Sequence, residues 1–115
     1  MLKDNSSEPL KQEETWRNIV NEAGRGVKSK YPNVIHAIEM GAYIKPEHYF
    51  MAYVFKTDKE LEQAKESGLL AEINEYHKEL LRQFGYPEEG ITDCTFASQQ
   101  TCDREFKGNW YYYFK

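Results

Sequence analysis

The last seven residues, Asn109-Trp110-Tyr111-Tyr112-Tyr113-Phe114-Lys115, hold five aromatic side chains in succession. Aromatic side chains fit a pleated, half-buried surface, so the run reads as a β-strand. Alternation along a strand puts Trp110, Tyr112 and Phe114 on one side and Tyr111 and Tyr113 on the other. Any fold built on that strand must deal with two aromatic faces. A chain of 115 residues has material for one domain, enough to cover one face with its own helices and little for the second.

The remaining sequence supplies the cover in a definite order. Residues 1–12 are polar, contain Pro9 and hold too little apolar surface to offset the entropy of ordering them, so a mobile tail is expected before a single domain over 13–115. Trp16, Ile19, Val20, Ala23 and Val27 recur at helical spacing. Gly24 and Gly26 weaken that helix and mark either its end or a close approach to a sheet. A strand is expected from Val34 to about Ile44, then a turn over Lys45-Pro46-Glu47-His48, then a second strand from Tyr49 to Phe55. The second strand is apolar on both sides, which predicts an interior position. Thr57 and Glu60 have the spacing of a capping box, and Leu69, Leu70, Ile73, Tyr76, His77, Leu80, Leu81 and Phe84 trace the strongest helical stripe in the chain. Ile91–Ala97 reads as a third strand, and Ser98 caps a short helix closed by Gly108.

The order is therefore α-β-β-α-β-α-β. It predicts an α+β fold: a mainly antiparallel four-stranded sheet with helices packed on one face.

Composition narrows the function classes. The formal charge is −4, and Asp58–Glu89 alone holds nine acids against four bases, leaving the remainder at +1. No basic stripe is available for a phosphate backbone, so duplex nucleic acid is not an expected partner. No run of about 18 apolar residues could cross a bilayer, and the opening residues lack the apolar core of a secretory signal, which together predict a cytoplasmic protein. Cys94 and Cys102 are two thiols, not a disulfide framework.

The spacings of His36, His48, His77 and the two cysteines fit no metal motif, and neither metal nor cofactor is expected. Cys102 lies in the first turns of a helix, where a dipole can activate a thiol, but Asp103 and Glu105 oppose a thiolate there. No catalytic residue is assigned.

The tyrosines carry the functional expectation. With helices on the face of Val34, Ile38, Phe50, Val54, Phe96, Trp110, Tyr112 and Phe114, the opposite face would present Tyr43, Tyr49, Met51, Tyr53, Tyr111 and Tyr113. Tyrosine and methionine are residues that interfaces favour, and an apolar patch of this kind marks a contact surface. The leading reading is a non-enzymatic protein–protein interaction or inhibitor module, or a self-associating one, that uses the aromatic sheet face. The competing structural reading is that the first helix or the tail covers this face. Two other functions stay open: a small ligand-binding protein or enzyme with a pocket between sheet and helices, and single-stranded nucleic-acid binding by stacking on the open sheet.

Overall fold

A strand whose side chains are apolar in both directions needs neighbours on both edges and cover on both faces, and Tyr49–Phe55 has all four. A computed structural model of the chain describes residues 7–41 and 45–114, with side chains from residue 14 onward. Within it, helix α1 (Ser7–Lys30) leads to strand β1 (Val34–Gly41), a 3-10 turn (Pro46–His48) and strand β2 (Tyr49–Phe55). Helices α2 (Asp58–Glu66) and α3 (Leu69–Gln83), a second 3-10 turn (Glu88–Gly90), strand β3 (Thr95–Ser98) and helices α4 (Gln99–Phe106) and α5 (Trp110–Tyr113) complete the chain. The sheet order is β1-β2-β3, with β2 in the middle as its composition predicts. All but one of the seven β2 residues are buried.

This is a single-domain α+β fold, but its sheet differs from the expected one. Among the described residues it has three strands and is mixed: β1 runs antiparallel to β2, whereas β3 runs parallel to it. The expected fourth strand is helix α5. Helices also lie on both faces, not one.

Side-chain placement shows why. Tyr49, Met51, Tyr53 and Phe55 enter one core with Val20, Ala23 and Val27 of α1 and with Ile73, Leu80 and Leu81 of α3. Phe50, on the alternate face of β2, meets Phe114 of the C-terminal segment, with ring centroids 6.3 Å apart. The C-terminal segment therefore covers part of the second face, for which so short a chain was expected to have little material.

Local chemistry fixes the elements. Helix α1 begins at Ser7, so residues 7–12 of the expected tail are helical; residues 1–6 lie outside the described residues. The helix runs through both glycines to Lys30 instead of ending there. Gly24 marks close approach to the sheet: a Cβ there would stand 2.8 Å from Met51 Cε and 3.2 Å from Ala37 Cβ. Before Pro32 the chain leaves the helix, as the restricted backbone of a pre-proline residue requires. Thr57 Oγ1 accepts the Glu60 amide at 3.0 Å and starts α2. Ser98 Oγ accepts the Thr101 amide at 3.2 Å and starts α4.

Candidate interaction surface

Why the terminal aromatic run is helical follows from the three residues before it. Lys107 and Gly108 both take positive φ, 53° and 78°, and end α4. Asn109 then turns its side-chain oxygen onto the amides of Tyr111 and Tyr112, at 3.0 and 3.3 Å. That is an N-cap, and it satisfies donors that a new helix would otherwise leave unpaired. The aromatic side chains consequently repeat at three and four positions rather than two.

Trp110, Tyr113 and Phe114 form the inward stripe. Trp110 stacks on Phe114 at 5.9 Å and meets Tyr113 at 5.1 Å, while Tyr113 packs edge-on against Phe106 of α4 at 5.4 Å. Burial raises the Tyr113 phenol pKa. Tyr111 and Tyr112 are left facing outward, 65% and 54% exposed, with rings in edge contact at 5.3 Å. Sequence periodicity of two had paired Tyr111 with Tyr113 and missed Tyr112. A legible signal was present: an asparagine directly after a helix-ending glycine is a capping residue type.

The other expected surface residues lie elsewhere. Tyr49, Met51 and Tyr53 are 2%, 1% and 0% exposed, sealed beneath α1 and α3. They share a face, but it is the covered one. Tyr43 lies outside the described residues. The six-residue set is therefore not one surface: three members are core, Tyr113 packs inward, and Tyr111 alone points to solvent among those described.

Groups with reactive potential are also accounted for by packing. Tyr53 and His77 share a buried hydrogen bond, Oη to Nδ1, at 2.7 Å, with their rings edge-on at 5.4 Å. Burial drives the His77 pKa down to about 4 and the Tyr53 phenol well above its ordinary range. His77 is thus neutral at neutral pH, with its Nδ1 hydrogen-bonded to the tyrosine hydroxyl. Burial pushes the Cys94 thiol up to about 12, and its sulfur donates to Asn74 Oδ1 at 3.3 Å. Cys102 is fully buried in α4 and its thiol pKa is raised, by burial first and by Asp103 second. Neither cysteine presents a thiolate. His36 and His48 are exposed.

A polar cluster ties the two helix starts at the ends of the parallel strands. Asp58 accepts from Ser98 Oγ at 2.6 Å, from the Thr101 hydroxyl and from Arg104 Nη1 at 2.9 Å. Those three donors, Ser98 first, hold the Asp58 carboxyl down at about 2. Beside them lies an open groove of about 540 Å³ lined by Lys56, Thr57, Gln99, Gln100, Asp103 and Arg104. Its Arg104 is already engaged by Asp58 and Glu105, so the arrangement is a clamp between β2–α2 and β3–α4.

Among the described residues, no group of three His, Cys, Asp or Glu could hold a metal, and no helix is long and apolar enough to cross a membrane. No protein-family model, curated protein or solved structure matches the chain.

Proposed function

We propose that this chain is a non-enzymatic interaction module of the inhibitor kind, which engages a protein partner through helix α5. The observation that carries the reading is the outward pair Tyr111 and Tyr112, held on a helix whose other aromatic side chains anchor it to α4 and the sheet. Tyrosine has few rotatable bonds, so the two side chains offer a large amphipathic contact at low ordering cost, the character of residues that dominate interfaces. Support comes also from the buried, protonated thiols and the buried neutral His77, which leave no activated nucleophile or accessible general base among those groups. Stacking of single-stranded bases on the sheet loses its platform, since Tyr49 and Tyr53 are core residues.

The acidic balance suits a basic partner, whose approach it would steer. A reducing cytoplasmic setting fits two buried cysteines that form no disulfide. Affinity capture from source-cell lysate tests the proposal. The native chain should retain a defined protein, and a Tyr111→Ala, Tyr112→Ala variant shown to be folded should lose it. Recovery of the same proteins by both forms, or of none by either, would show the reading to be wrong.

A further inference from the structure

We draw no further inference here: the strongest candidate, the edge of strand β1 that no other described strand pairs with, with Ile38 and Met40 half-buried on the adjoining sheet face, carries no proposal because nothing in the structure shows what covers it.

Discussion

Tyr53 shows how one side chain can be read correctly in pattern and wrongly in place. Period-two alternation puts it with Tyr49 and Met51, and the three do share a face. Alternation is silent on which face the helices cover, and in β2 both faces are equally apolar, so hydrophobicity gives no vote. The buried partner His77 settles it physically, because a tyrosine hydroxyl in a core requires a hydrogen-bond partner. That pair makes stability acid-sensitive. His77 has a folded-state pKa near 4 against about 6.5 in an unfolded chain, so between those values the unfolded state binds more protons. Stability is therefore full above the unfolded value and falls as pH drops through the window, by on the order of 3 kcal/mol. Urea titrations at pH 7 and pH 4.5 should show this loss in the native chain. A His77→Gln variant, which keeps an acceptor but cannot titrate, should show a clearly smaller one.

At the scale of elements, what the sequence announces is what short-range chemistry decides. Thr57 and Ser98 are N-caps as their spacing implies, β2 is interior, and the stripe from Leu69 to Leu81 supplies the buried face of α3. The direction of β3 was not readable. It depends on how α2 and α3 carry the chain back across the sheet, a tertiary matter that residue patterns over four positions do not encode. Helix α5 was misread because five aromatics have high strand propensity, while four residues are too few to show a period. A local cap and tertiary contacts together override propensity there: Asn109 caps the turn, and Phe106 and Phe50 pack against it. The clamp at Asp58 should be equally tertiary in effect. Ser98→Ala removes both a cap and a donor to Asp58, and should cost about 1–2 kcal/mol, read as a lower urea midpoint with an unchanged slope.

For the whole molecule, the proposed function gives the C-terminal helices two separable duties, to cover part of the sheet's second face at Phe50 and to present Tyr111 and Tyr112 to a partner. Phe114 serves the first through its contacts with Phe50 and Trp110, so Phe114→Ala should lower stability by about 2 kcal/mol in thermal or urea unfolding. Replacing Tyr111 and Tyr112 by alanine removes exposed rings and should move stability by only about 0.5 kcal/mol. This contrast separates a surface kept for contact from one kept for folding. The direct measurement is photo-crosslinking in source cells, with a photoreactive phenylalanine analogue placed at position 111 and, in a control chain, at the exposed position of Lys65 on α2. The account predicts a discrete adduct to one other protein from position 111 and none from position 65. No adduct from position 111, or the same adducts from both positions, would contradict it.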